Sequence, residues 1–321
     1  MESLPEYTAV VRTLGKAGEK YQRLLSSLEN QTHKPSAILI YLAEGYDKPS
    51  ETIGKERIIY VPKGMVAQRA LAYDEVTTEW MLFLDDDMEI APAGVETILR
   101  DTLDAKADVC AIDGFPHHKL PLAVKIKMCL LLSSLPRIGK HYKGYTISRL
   151  GVELYNPNPK FDYAWSTTNS GNAFICKKDD FLKINFQEDL WLDDAPYAYP
   201  EDRVMFYKMH LAGLTILTHY NSGFIHLDAG TSVDSSRKAA KIAYSEARNN
   251  YIFNHLYFKP NLSTVDKIIN HAFSWFIILP GKIITWIRNF GNREIRQERR
   301  AGIENAKKFL REYKRSSFFH K

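Results

Sequence analysis

Five apolar residues, Trp80-Met81-Leu82-Phe83-Leu84, run without a break into three aspartates, Asp85, Asp86 and Asp87. Apolar character on consecutive rather than alternate positions suits a strand buried on both faces, the setting of a central strand in a parallel α/β sheet. Such sheets place their ligand crevices beyond the carboxyl ends of their strands, so the position of the aspartates matters more than their number. A charged turn is the plain alternative, but acidic side chains at the end of a buried strand are costly unless they pair or bind a cation. Asp85 and Asp87, one residue apart, are spaced to engage a hard divalent ion and a sugar phosphate together.

The chain around this strand alternates in the same way. Tyr7 to Thr13 reads as a strand, Glu19 to Asn30 as a helix with Tyr21, Leu24, Leu25 and Leu28 on one face, and Ala37 to Leu42 as the next strand, together a βαβ unit. Arg57 to Val61, Val109 to Ile112, Ala173 to Cys176 and Leu214 to Thr218 supply further strands, with helices expected over Val66 to Val76, Ala93 to Ala105, Leu120 to Pro136 and Asp202 to Leu211. Gly213 stands where the last of these wants a left-handed C-cap. The expected fold is therefore α/β, a mixed and mainly parallel sheet flanked by helices.

After Gly230 the sequence changes character. Ser235 to Phe253 reads as a helix, Ile268 to Leu279 is strongly apolar, and from Gly281 to Lys321 there are 12 Lys and Arg against 4 Asp and Glu. With a whole-chain charge of +5, the tail holds about +8 and the body about −3. That asymmetry argues against a body that tracks nucleic-acid phosphates and suits a tail for an anionic surface. Domains are expected at 1–255 and 256–321, the second a basic amphipathic helical extension that either anchors at a membrane interface or packs on protein, including at a homodimer interface. The three cysteines, Cys110, Cys129 and Cys176, are odd in number and widely spaced, which fits a reducing cytosol, and neither an export signal nor a spanning segment is expected. The expected location is cytoplasmic, peripheral on the inner membrane face.

Three further elements follow the aspartates: a Ser170-Gly171-Asn172-Ala173-Phe174 turn, Glu201-Asp202-Arg203 after Pro200, and Gly223-Phe224-Ile225-His226. Taken singly, each has an ordinary structural reading. Carboxylates favour helix N-termini, a lone histidine is usually structural, and aromatics such as Trp165, Trp191 and Tyr199 usually belong to cores. In this order, over roughly residues 7 to 250, the chain resembles the family 2 glycosyltransferases, which have the GT-A (Rossmann-like) fold. Leu28-Glu29-Asn30-Gln31-Thr32, Ala43-Glu44-Gly45 and Gly64-Met65-Val66-Ala67-Gln68-Arg69-Ala70 continue the resemblance, while Arg12 stands where that family often has proline.

The resemblance implies an inverting transfer of a sugar from a nucleotide-diphospho-sugar, with a UDP-sugar favoured, to a hydroxyl of a glycan or lipid-linked acceptor in surface polysaccharide synthesis. It implies donor binding by Thr13, Glu44, Arg69, Asp85 and Asp86, and a Mn²⁺ or Mg²⁺ ion held by Asp87 with His226. Asp202 is implied as the general base, with Trp165, Asn172, Trp191 and Glu201 on the acceptor side. The cluster Glu188, Asp189, Asp193 and Asp194 is an alternative source of the base. A catalytically silent scaffold of the same fold that binds a sugar nucleotide is the alternative function.

Overall fold

The structure is a computed structural model. It describes residues 3–113, 142–148, 151, 153–156, 159–171, 173–227, 236–273 and 292–313. The chain divides into two compact units: Met1–Ser148 with Val152–Leu190 and Glu201–Ser232, and Arg149–Gly151 with Trp191–Pro200 and Val233–Lys321.

The first unit contains, in order, β1 (Tyr7–Thr13), α1 (Glu19–Glu29), β2 (Ala37–Ala43), β3 (Glu56–Val61), β4 (Trp80–Asp85), β5 (Met88–Ile90), α2 (Gly94–Asp104), β6 (Val109–Ile112), β7 (Thr146–Ile147), β8 (Glu153–Leu154), β9 (Tyr163–Ser166), β10 (Ala173–Lys177), α3 (Lys178–Leu182), a 3-10 turn that begins at Phe186, α4 (Glu201–Leu211), β11 (Ile216–His219) and β12 (Phe224–His226). Eight strands form one sheet in the order β3-β2-β1-β4-β10-β6-β11-β9. β1 is parallel to β2 and β4, β2 to β3, and β6 to β11, whereas β10 runs antiparallel to β4 and β6, and β9 to β11. The carboxyl ends of β1, β2, β3, β4, β6 and β11 therefore share one edge. The fold is mixed α/β, a large and mainly parallel central sheet flanked by helices.

β4 is apolar on consecutive positions because both of its faces are covered. Leu82 and Leu84 join Ala9, Val11, Ile38, Ile40 and Ile175 beneath Leu24, Leu25 and Leu28 of α1 and Val95, Ile98 and Leu99 of α2. On the opposite face Phe83 stacks on Phe174 at 4.3 Å, and Phe206 of α4 meets Phe174 edge-on at 5.1 Å. Each such side chain contributes roughly 1.5–3 kcal/mol on leaving water. α4 ends as its sequence requires: Gly213 has φ +89°, and the Leu214 amide bonds the Met209 carbonyl at 3.0 Å.

The helix expected over Val66 to Val76 is instead a set of turns. Val66, Ala70 and Tyr73 have helical spacing and are buried, but Gln68 dictates the backbone. Its amide nitrogen donates to the carbonyls of Thr13 at 2.9 Å and Tyr41 at 3.1 Å, which pins the segment to two strand ends, and Tyr73 then turns to φ +55°. The helix expected over Leu120 to Pro136 lies outside the described residues, as does Cys129. Cys110 and Cys176 are buried free thiols.

In the second unit α5 (Ser236–Phe253) continues through a π-helical turn (Asn254–Phe258), followed by α6 (Thr264–Phe273) and α7 (Arg293–Glu312). α5 lies along α7, whose Gly302 and Ala306 are buried and let the backbones approach. Arg248 of α5 ties the unit together through the Trp191 carbonyl at 2.8 Å and Asn305 Oδ1 at 2.7 Å. The compact division falls between Ser232 and Val233, upstream of the boundary expected at 255, because α5 packs on α7. Of the apolar stretch expected at an interface, only the part within α6 is described, and no helix among the described residues is long and apolar enough to cross a membrane.

Candidate active site

The parallel register of β1 and β4 sets Arg12 opposite Asp85 at the carboxyl edge. Arg12 grips that carboxylate with both prongs, Nε to Oδ1 and Nη2 to Oδ2 at 3.0 Å, and its Nη1 donates to the Met65 carbonyl at 3.1 Å. Arg69, carried by the Gln68-pinned turn, reaches Asp85 Oδ1 with Nη2 at 3.4 Å and forms a close ion pair with Asp202 Oδ1 through Nη1. Asp202 and Glu201 open α4, where the helix dipole favours carboxylates. The result is an alternating chain of charges, Arg12, Asp85, Arg69 and Asp202, with Glu201 Oε1 at 3.9 Å from Arg12 Nη2.

Burial acts on each of these groups, and their neighbours decide the outcome. At Asp85 burial raises the carboxyl pKa, but the guanidiniums of Arg12 and Arg69 outweigh it and hold the group below the usual carboxylate value. Asp86 is pushed up to about 6 by burial, against the hydrogen bond from Thr13 Oγ1 and with help from Asp85 and Asp87. Glu201, 6% exposed, is pushed up to about 7 by burial and by Asp202, against the pull of Arg12 and Arg69.

β12 pairs antiparallel with β5 so that His226 lies opposite Met88, and this brings His226 Nε2 to 2.9 Å from Asp87 Oδ2. The Leu227 amide closes the arrangement on the Asp87 carbonyl at 2.9 Å. Imidazole and carboxylate in mutual reach are a fitting donor pair for Mn²⁺ or Mg²⁺, ions that commonly take one or two protein carboxylates and fill the remaining positions with substrate phosphate and water. No group of three or more His, Cys, Asp or Glu side chains able to hold a metal occurs among the described residues.

Thr13, Arg69, Asp85, Asp86, Asp87, Glu201, Asp202 and His226 thus gather at or beside one edge of the sheet, and Glu44 stands exposed just past β2, its amide bonded to the Val61 carbonyl at 2.8 Å. Of the residues expected on the acceptor side, Glu201 is at this edge, while Trp165 and Trp191 have other surroundings. Antiparallel pairing with β11 sets Trp165 opposite Leu217, near the amino end of that strand, where it lines a cavity of about 120 Å³ with Tyr142, His210 and Gly213. Trp165 thus lies away from the carboxyl ends of the parallel strands, beside that cavity. Trp191 belongs to the second unit, where it is 5% exposed and packs against Phe309 and Arg248. Asn172 lies outside the described residues. Of the alternative acids, Asp189 is sealed in an ion pair with Lys208, and Asp194 pairs with Arg248 within the second unit.

Two participants escaped the sequence reading. Arg12 was noted only as a departure from proline, although a cation ending a strand beside an aspartate-tipped neighbour is a readable signal. Glu153, on the two-residue β8, gave none. Its Oε2 accepts from Ser170 Oγ at 2.8 Å, its Oε1 is sealed without a partner among the described residues, and burial raises its pKa against Arg203 and Ser170, with Asp202 adding to the rise.

No protein-family model matches the chain, and no curated protein matches it. Among solved structures, one that is similar is the crystal structure of GalNAc-T7 with UDP, GalNAc and Mn²⁺, at 12% sequence identity and a TM-score of 0.49, covering 89% of this chain and 58% of that one. The chain thus spans a little over half the length of that protein.

Proposed function

We propose that the protein is a GT-A-type glycosyltransferase that moves a sugar from a nucleotide-diphospho-sugar to an acceptor hydroxyl. The observation that carries this reading is the convergence, at the carboxyl edge of β4, of the Asp87–His226 pair with the Arg69–Asp202 pair. One pair is suited to a metal-bound diphosphate, and the other joins a phosphate-binding cation to a candidate base. The sequence pattern described above places the same residues in the order of the family 2 enzymes and supports an inverting, single-displacement reaction.

In this reading Asp87 and His226 hold a divalent ion, which when bound offsets the charge that develops on the departing diphosphate. Arg69 adds a second cation toward the diphosphate, and Arg12 keeps Asp85 ionised and fixed for the nucleoside. Asp202 accepts the proton of the attacking hydroxyl as the new bond forms, on the face opposite the leaving group. A silent sugar-nucleotide-binding scaffold is the second reading, favoured by one feature: Asp202 is already engaged by Arg69.

Calorimetric titration with UDP, with Mn²⁺ and with EDTA, tests the assignment together with sugar release from a panel of UDP-sugars. Binding is expected to require Mn²⁺ and to weaken at least about tenfold in Asp87→Ala, the scale of loss found even for outer-shell metal partners. Metal-independent binding, or unchanged Mn²⁺-dependent binding in the variant, overturns it. Binding without any sugar release or transfer selects the scaffold.

A further inference from the structure

Arg69 makes its strongest contact with the residue read as the base. A carboxylate locked to a guanidinium is poorly placed to take a proton from a hydroxyl, because its charge is already compensated and its Oδ1 already occupied. The two arginines differ in how they are committed. Arg12 is saturated by a bidentate grip on Asp85 and a third bond to the Met65 carbonyl. Among the described residues Arg69 has one close side-chain partner, Asp202, and one long contact, with Asp85, at 3.4 Å.

The backbone beneath Arg69 is anchored. Its carbonyl accepts from Tyr73 Oη at 2.8 Å, and the preceding Gln68 is fixed to Thr13 and Tyr41. The guanidinium can therefore exchange partners without any movement of the turn. Asp202, at 16% side-chain exposure, is the open end of the pair, whereas Arg69 is 3% exposed. A diphosphate offers the planar fork a bidentate anionic partner, the geometry it takes best.

We propose that Arg69 is a donor-released latch: it holds Asp202 in the ligand-free protein, and an arriving nucleoside diphosphate draws the guanidinium away and opens the carboxylate to the acceptor hydroxyl. The latch rests on the nucleotide-sugar reading above. It orders the reaction, with donor before acceptor. It also has a thermodynamic signature, because coupling is reciprocal: whatever the diphosphate does to free Asp202, Asp202 subtracts from diphosphate affinity.

The test is UDP affinity with saturating Mn²⁺ at pH 8 by calorimetry. Asp202→Asn is nearly isosteric, removes the competitor for Arg69, and is expected to tighten UDP binding about tenfold, the worth of one charge-assisted hydrogen bond. Removing any nearby negative charge also helps an anion bind, so Glu201→Gln serves as the charge control and is expected to change affinity less than about threefold. In the Arg69→Lys or Arg69→Met background, Asp202→Asn is expected to have no effect, since the cycle isolates the pair. Unchanged or weaker UDP binding in Asp202→Asn, or equal tightening in Glu201→Gln or in the Arg69 backgrounds, overturns the latch alone. Failure of the wild-type protein to bind UDP with Mn²⁺ overturns the nucleotide reading and the latch with it.

Discussion

Lys208 and Asp189 form an ion pair with both side chains at 0% exposure, 2.6 Å apart, while the charges at the carboxyl edge of β4 keep 3% to 17% of their surface. Both regions belong to the sheet-bearing unit and both set cations against carboxylates. In the sealed pair Lys208 Nζ also donates to the Asn185 carbonyl at 3.2 Å, so the ammonium is satisfied on the spot. At the edge, two guanidiniums serve Asp85, Asp202 and Glu201, with Asp86 and Asp87 adjoining. Charge that is balanced and sealed serves the fold. Charge with carboxylates in excess and surface remaining is what the proposed metal and diphosphate site requires.

Breaking the sealed pair is expected to have the largest effect. Lys208→Met leaves Asp189 buried without its cation, a loss of about 3–5 kcal/mol in unfolding free energy, and Lys208→Met with Asp189→Leu is expected to recover most of it. Chemical denaturation of the three proteins measures both quantities. If the single variant loses less than about 1 kcal/mol, the two regions are not different in kind and the contrast fails.

The edge is sharpened by its pH dependence. Glu201 has its carboxyl raised to about 7 by burial and Asp202, from the usual 4.5 of a free glutamate. The folded protein then binds more protons than the unfolded chain between those values, so the contribution of Glu201 is fully present below about pH 4.5 and is lost as pH rises through about 7. Relative to wild type, Glu201→Gln is expected to gain stability between pH 5 and pH 8, by up to about 3 kcal/mol, and to show no further change at higher pH. A pH-independent difference between the two proteins removes the claim that this carboxyl is held back from ionising.

How much of this was legible follows the local physics of each element. β4 and its aspartates could be read because a strand covered on both faces leaves an uninterrupted apolar run, and a charge at its end has few structural excuses. The segment from Val66 to Val76 misled because Val66, Ala70 and Tyr73 have helical spacing, yet one buried amide, that of Gln68, bonds across to two strands and overrides it. β5 and β12 are too short for any periodicity. His226 was found through a resemblance, and only the pairing of those two strands explains its proximity to Asp87. Trp165 was placed by residue type alone, and type says nothing of strand register. The residues expected on the acceptor side were the least legible, because they come from segments far apart in the chain that sequence alone does not bring together.

Glu153 is the smallest case, a carboxyl near the edge for which no ion pair with a cation is seen among the described residues. It bonds Ser170 Oγ through one oxygen, and the other is sealed without a partner among the described residues. Were it part of the fold's permanent framework, like Asp189, its replacement by an isosteric amide would break a satisfied arrangement. As a strained carboxyl whose pKa is raised by burial, it costs stability whenever it ionises. Glu153→Gln keeps the acceptor for Ser170 and removes the ionisable group. The variant is expected to match wild type at pH 5 and to exceed it by about 1 kcal/mol at pH 8, the cost of one poorly satisfied buried polar group. Thermal or denaturant unfolding at the two pH values measures the difference. A loss at both values would place Glu153 with Lys208 and Asp189 among the groups that hold the fold, and would move the line between the two kinds of charge to exclude it from the edge.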